Sequence, residues 1–241
     1  MTKVLNMTFL GRVAVHLDEE PLSMVSAKAQ ALLCYLAVSG RVHSRQALAG
    51  LLWGDLPEAD ARRNLRGVAL KLRQHFDGHL LVTHQTMAFD KTSPYRLDVA
   101  DFRELCQHED VGSLVDAATL YRGDFLEDLH VRQASAFEEW VTQQREALRQ
   151  QIIAVYRRLA VALEKERRYE EGIDYARRLL LLDATNEAGH RLLMRLLAKR
   201  GQRSAALRQY DACVAALADM GVVPTEKTAV LLQQIRDNSL V

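Results

Sequence analysis

Apolar positions change their period near residue 97, and the chain reads differently on either side of that point. In the first part, short aliphatic runs alternate with stretches of helical spacing. Val4 to Leu10 and Arg12 to Leu17 read as strands around Gly11, because β-branched and aliphatic residues suit a half-buried pleated surface. Ser26 stands in N-cap position before a strongly helical stretch, Ala27 to Ala37, that Gly40 ends. Ser44 opens a short helix through Leu52. Pro57 fits the first turn of a third helix running to about Phe76, where Asp77-Gly78 stops it. Strand-like runs follow at Leu80 to Thr83, Thr86 to Phe89 and Tyr95 to Leu97, with the polar segment Asp90 to Pro94 as the turn between the last two. Strands, three helices and a closing hairpin are the layout of a winged helix.

Beyond residue 97 the spacing is helical almost throughout, and it repeats. Tyr156, Leu159, Ala160, Leu163, Gly172 and Ala176 are followed 34 residues later by His190, Leu193, Met194, Leu197, Ala206 and Tyr210. That period, with a small residue where the two helices of a unit approach most closely, is the tetratricopeptide signature. Ala184 and Ala218 stand where the repeat often has proline. Pro224 precedes a last amphipathic helix, Glu226 to Asp237, suited to capping the stack. The expected fold is therefore mainly α with a small α+β domain. A winged helix-turn-helix over residues 1–97 is followed by an all-α, tetratricopeptide-like domain over 98–241.

The 241 residues carry a net charge of only +1, but the charge is unevenly placed. Residues 1–96 hold 12 Lys/Arg against 8 Asp/Glu, and the remainder holds 20 against 23. A positive front suits phosphates and a negative rear suits protein. No apolar run approaches the roughly 18–20 residues of a membrane span. Met1 to Asn6 lacks the apolar core of a signal peptide, so a cytoplasmic location is expected. Cys34, Cys106 and Cys213 show no metal-ligand spacing and read as free, buried thiols.

Individual segments also match one known family, in its order. They include Phe9-Leu10-Gly11, Leu51-Leu52-Trp53-Gly54-Asp55 with Pro57, Asn64-Leu65-Arg66, Leu72-Arg73, Tyr95-Arg96-Leu97 and Asp101-Phe102. Further on come Leu120-Tyr121-Arg122-Gly123-Asp124-Phe125-Leu126, Trp140, Arg145, Arg191, Met194, Gly201, Ala206-Leu207, Tyr210, Gly221 and Pro224. Together they resemble the Streptomyces antibiotic regulatory protein type of activator, an OmpR-like winged helix followed by the bacterial transcriptional activator domain. The resemblance implies a bacterial transcription regulator that binds promoter direct repeats in two or more copies. It also implies contact with RNA polymerase and its sigma factor, residence at the nucleoid when DNA-bound, and no cofactor. A homodimer stays open, as does a role as the front part of a larger regulator.

The third helix carries the expected chemistry. At about 100° per residue, Leu65, Val68, Ala69, Leu72 and Phe76 gather on a core side. Opposite lie Asp60, Arg63, Gly67, Leu70, Lys71 and Gln74, with Arg66 and Arg73 on one flank and Asn64 on the other. A major groove about 12 Å wide admits such a helix. Arg63, Lys71 and Gln74 reach base edges, whereas Arg62, Arg66 and Arg73 suit phosphates. Gly67 costs the helix roughly 1 kcal/mol against alanine, which close approach to DNA would explain. Leu70 takes the place where relatives commonly carry a hydroxyl. It packs on a thymine methyl or weakens readout. Ser44, Arg45 and Gln46 offer free backbone N–H groups and a cation to phosphate. Lys91-Thr92-Ser93 is read as the wing, and Asp55, Leu56 and Glu58 as a loop facing polymerase. The bland alternative is a solvated helix face, with the whole chain a protein-binding scaffold.

Enzyme motifs do not appear. His75, His79 and His84 fit neither HExxH nor a zinc-finger arm and read as surface histidines. No P-loop, GxSxG or GxGxxG is present, and His190, Tyr156, Tyr210 and Trp140 fall at packing positions.

Overall fold

The computed structural model describes residues 3–22, 26–76 and 78–239; Asp77 of the expected helix stop lies outside them. A first sheet has the order β3-β2-β1-β7, formed by β1 (Leu5–Thr8), β2 (Ala14–Leu17), β3 (Glu20–Pro21) and β7 (Tyr95–Leu97). β1 pairs antiparallel with β2 and parallel with β7. A second sheet, β4-β6-β5, joins β4 (His43–Ser44), β6 (Thr86–Phe89) and β5 (Leu80–Val82), all antiparallel. Between them in sequence lie α1 (Ala27–Ser39), α2 (Arg45–Trp53) and α3 (Glu58–His75).

The helix ends follow the expected chemistry. Ser26 Oγ accepts from Ala29 N–H and Ser44 Oγ from Ala47 N–H, at 3.2 and 3.1 Å. Gly40 closes α1 in the left-handed region at φ 57°, and its N–H donates to Leu36 O. Pro57 sits one residue earlier than expected, at the N-cap of α3 with extended ψ, and the helix begins at Glu58.

Two compact units result, and their limits are not those of the sequence domains. The first comprises residues 1–105 and 119–148, the second 106–118 and 149–241. Residues 119–148 thus fold with the winged helix, although they lie beyond residue 97. Backbone hydrogen bonds account for it. Gly11 N–H donates to Asp124 O, Leu126 N–H to Phe9 O and Glu127 N–H to Gly11 O, at 2.8–3.1 Å. Gly11 has φ +99°, and a Cβ on Gly123 would stand 3.1 Å from Gly11 Cα, so both positions need glycine. Two motifs more than 100 residues apart in sequence therefore meet face to face. Arg145 secures the same segment by donating to the carbonyls of Phe125 and Leu126, each at 2.7 Å. Trp140 packs edge-on against Tyr35 and Phe125.

Asp98 is the first residue of α4 (Asp98–Leu105), and its side chain is buried. Its carboxylate accepts from Phe9 N–H at 2.8 Å and Leu10 N–H at 3.0 Å, with Arg122 3.4 Å away. Burial pushes its pKa above the usual aspartate range, against the opposing pull of those N–H groups and Arg122.

The second unit holds most of α5 (Val111–Leu120), the C-terminal half of α6 (Ser135–Lys165), and then α7 (Tyr169–Leu182), α8 (Glu187–Lys199), α9 (Arg203–Ala218) and α10 (Glu226–Arg236). Ala160, Ile173, Ala176, Met194, Leu197 and Ala206 share one core with Leu231, Leu232 and Ile235 of α10. His190 is buried, donating from Nε2 to Ala184 O and accepting at Nδ1 from the Gln209 amide. Its role here is packing. All three cysteines are free; Cys34 and Cys213 are buried, but Cys106 is only half-buried.

Glu187 ties α10 to the stack. Its Oε1 accepts from Thr225 N–H at 2.9 Å, from the Thr225 and Thr228 hydroxyls, and from Arg191 at 3.0 Å. Burial disfavours the charge, yet those donors outweigh it and hold the carboxyl below the usual glutamate range. A carboxyl with a depressed folded-state pKa contributes stability that is present above the unfolded value and lost as pH falls through the folded one. Hydrogen exchange of α10 amides is therefore expected to accelerate as pH drops below the usual glutamate range, after correction for intrinsic rates. Glu187→Gln should flatten that acid dependence. An unchanged profile would rule out Glu187 as its source.

Candidate nucleic-acid interface

α3 buries Ala61, Leu65, Ala69 and Leu72, with Phe76 just beyond its end. Val68, expected in the core, is only half-buried. Arg62, Arg63, Arg66, Gly67, Leu70, Lys71, Arg73 and Gln74 are all exposed. At about 100° per residue these eight cover about half of the helix circumference, from Arg62 on one side to Lys71 on the other. Five of them are cations, and residues 61–75 contain no aspartate or glutamate. The acids are confined to the first turn. Glu58 pairs with Arg62 at 2.5 Å and Asp60 with Arg63 at 2.7 Å. Both pairs are exposed, so they are weak and exchange readily for another anion.

The N-terminus of α2 lies beside this face. Ser44, Arg45, Gln46, Arg62, Leu65, Arg66, His84 and Gln85 line a cleft of about 460 Å³. One of the donors expected there to be free is already used, and the Ser44 hydroxyl is engaged as a cap. Arg45 N–H donates to Gln85 O, and Ala47 N–H is capped by Ser44. The Arg45 guanidinium donates to Thr83 O at 3.1 Å and so fastens α2 to the next turn. What the cleft presents outward is chiefly the side chains of Arg62 and Arg66, with His84 and Gln85.

The expected wing is corrected. Lys91-Thr92-Ser93 does not join two strands of one hairpin, because β6 belongs to the second sheet and β7 to the first. The hairpin is β5–β6, with register Leu80↔Phe89 to Val82↔Met87, and its tip is Thr83 to Thr86. There Thr83 N–H donates to Thr86 O at 2.9 Å, and the Thr83 hydroxyl accepts from the Gln85 and Thr86 N–H groups. Lys91 and Thr92 lie at the other end of that ladder. The Lys91 side chain lies over Gly40 at the end of α1, and Thr92 is held by Asp90 through two hydrogen bonds of 2.9 and 2.7 Å. These hydrogen bonds hold the Asp90 carboxyl below its usual range. His84 and Gln85 take the place that sequence reading assigned to Lys91 and Thr92. The Thr83–Thr86 spacing, a hydroxyl capping a two-residue tip, was the available signal. His79 is buried, unlike the surface residue expected, and its Nε2 meets Pro94 O at 3.2 Å.

Asp55 and Leu56 stand exposed in the α2–α3 connection and Glu58 at the start of α3; Leu56 N–H tightens the connection by donating to Trp53 O. Beneath it Lys28 donates to Leu52 O and lies 5.0 Å from the Trp53 ring centroid. Burial lowers the Lys28 pKa, partly offset by the Asp55 charge.

Residues 97–236, more than half of the chain, match the bacterial transcriptional activator domain. The chain belongs to that family. A winged helix followed by that domain is the arrangement that the resemblance to the Streptomyces antibiotic regulatory protein type implied. Mycobacterium tuberculosis EmbR, solved in complex with a low-affinity phosphopeptide, has a similar fold, with a TM-score of 0.76 at 21% identity. The match covers 98% of this chain and 66% of EmbR, so this regulator spans just under two thirds of that chain. No curated protein matches significantly. Among the described residues no helix is long and apolar enough to cross a membrane, and no group of side chains could hold a metal ion.

Proposed function

We propose that this regulator binds double-stranded DNA with α3 in the major groove and the β5–β6 tip on the flanking backbone. The carrying observation is the exposed half of α3, with five cations and no carboxylate after the first turn. Arg63, Lys71 and Gln74 reach towards base edges. Arg62, Arg66 and Arg73 flank them at positions suited to phosphates. Asp55, Leu56 and Glu58 offer a short exposed loop to RNA polymerase and its sigma factor, next to the DNA-facing helix. The activator domain supplies protein contacts, between copies on direct repeats or with polymerase. Its role is regulatory and not catalytic, in the bacterial cytoplasm and at the nucleoid. The division into a winged helix over residues 1–97 and an activator domain over 98–241 is supported by the activator-domain match from residue 97, while residues 119–148 fold in one compact unit with the winged helix.

Duplexes selected from a random pool, followed by a salt titration, test the reading. The logarithm of affinity should fall linearly with the logarithm of salt concentration. Arg63→Ala with Lys71→Ala should weaken binding to the selected duplex by about tenfold or more and make the salt dependence shallower. Unchanged affinity in the double variant would show that α3 is not the helix that meets DNA.

A further inference from the structure

The centre of the exposed half of α3 is not polar. Leu70 is 60% exposed, and among the described residues it is the only large apolar side chain so exposed on this helix. At about 100° per residue it points almost opposite Ala61 of the core. Arg66, Arg73 and Gln74 are its neighbours at three- and four-residue spacing, and Arg63 lies two turns before it on the same line. The remaining neighbour, Gly67, has no side chain. Apart from its own helix, nothing among the described residues lies within 4 Å of where a Cβ would stand there, so no packing seen in them requires glycine. Leu70 and the bare backbone of Gly67 thus form an apolar notch flanked by Arg63, Arg66 and Arg73.

We propose that this notch reads the C5-methyl group of a thymine, making Leu70 a specificity-determining residue and Gly67 the space beside it. The proposal rests on the DNA-binding reading above. The surrounding charge selects the partner, because a groove walled by phosphates complements Arg63, Arg66 and Arg73. Within a major groove, the thymine methyl is the apolar feature that base edges present. A single leucine is far smaller than the apolar patches of a few hundred Å² that mark protein docking sites. Glycine in a helix interior is unfavourable, so its presence where the protein leaves open space fits a requirement imposed from outside.

The test takes the selected duplex and replaces each thymine in turn by deoxyuridine, which lacks only the methyl. One position in each half-site is expected to weaken binding about fourfold, the value of one buried methyl. Leu70→Ala should abolish that difference while leaving sensitivity elsewhere intact. Gly67→Ala, which the helix itself favours, should weaken binding to the thymine duplex more than to the uracil duplex. Uniform binding of all uracil duplexes by the wild type would overturn the proposal while leaving DNA binding in place. So would a Leu70→Ala protein that selects the same sequence and keeps the same thymine preference, which would turn attention to a protein contact for Leu70. Failure of any duplex to outcompete random DNA would overturn the sequence-specific reading as well.

Discussion

Asp98→Ala is expected to destabilise the first unit by about 3 kcal/mol, a large fraction of the 5–15 kcal/mol typical of a domain. The Phe9 and Leu10 residues whose N–H groups it would leave are 0% and 1% exposed, so water does not readily replace the carboxylate. Each buried donor left without an acceptor costs about 1–3 kcal/mol. Removing a desolvated charge offsets part of that, since burial already raises the Asp98 pKa. Arg122 contributes little to the balance, its side chain being 56% exposed and 3.4 Å away. Urea unfolding at neutral pH, followed by near-ultraviolet circular dichroism, measures the loss. A change below about 1 kcal/mol would mean that the two N–H groups find other partners. Asp98→Asn should fall between, because its amide keeps one acceptor oxygen.

Gly172→Leu is expected to destabilise the second unit by about 3 kcal/mol, whereas Gly172→Ala should be nearly neutral. A Cβ at Gly172 would stand 3.1 Å from Leu196 Cδ2 and 3.4 Å from Ala160 O. The leucine tip can give way by a few tenths of an ångström, and alanine favours a helix over glycine, so a single methyl is tolerated. The three further carbons of leucine would press on α6 and α8, where Ala160 and Leu196 are both fully buried. Overpacking of this kind typically costs 1–3 kcal/mol. The graded pair discriminates a steric origin from a purely conformational one. Equal stability of the leucine variant and wild type would show that the helices separate without cost.

The expectations that held depend on short stretches of chain. A helix places residues three and four apart on one face whatever else the protein does. The core and exposed sides of α3 were therefore legible from Leu65, Ala69 and Leu72 against Arg63, Lys71 and Gln74. Capping is equally local, and Ser26 and Ser44 each meet an N–H three residues on. The repeat at 34 residues fell into place for the same reason, since each unit packs chiefly on its neighbours.

The wing failed for a physical reason that Asp90 to Pro94 makes plain. That segment satisfies turn chemistry, with Thr92 and Ser93 both bonded to Asp90, and a turn between two apolar runs looks like a hairpin. Turn chemistry does not choose a strand's partner. Tyr95–Leu97 pairs in parallel with Leu5–Thr8, about ninety residues earlier, and this takes it out of the sheet that holds β6. The true tip then falls at Thr83 to Thr86, beside Arg62 and Arg66.

Residue 97 marks both lessons. By itself the sequence determined where the apolar period changes, which helix carries the cations, which positions of the repeat must be small, and the family to which the chain belongs. Those properties follow from spacing along one helix or within one repeat. Only the tertiary structure decided that Gly11 faces Gly123, that residues 119–148 join the winged helix, and that His84 and Gln85 rather than Lys91 and Thr92 stand beside the basic face. Each of these depends on backbone pairing between segments distant in sequence. A hydrophobic pattern says that such segments need partners, but not which ones they find.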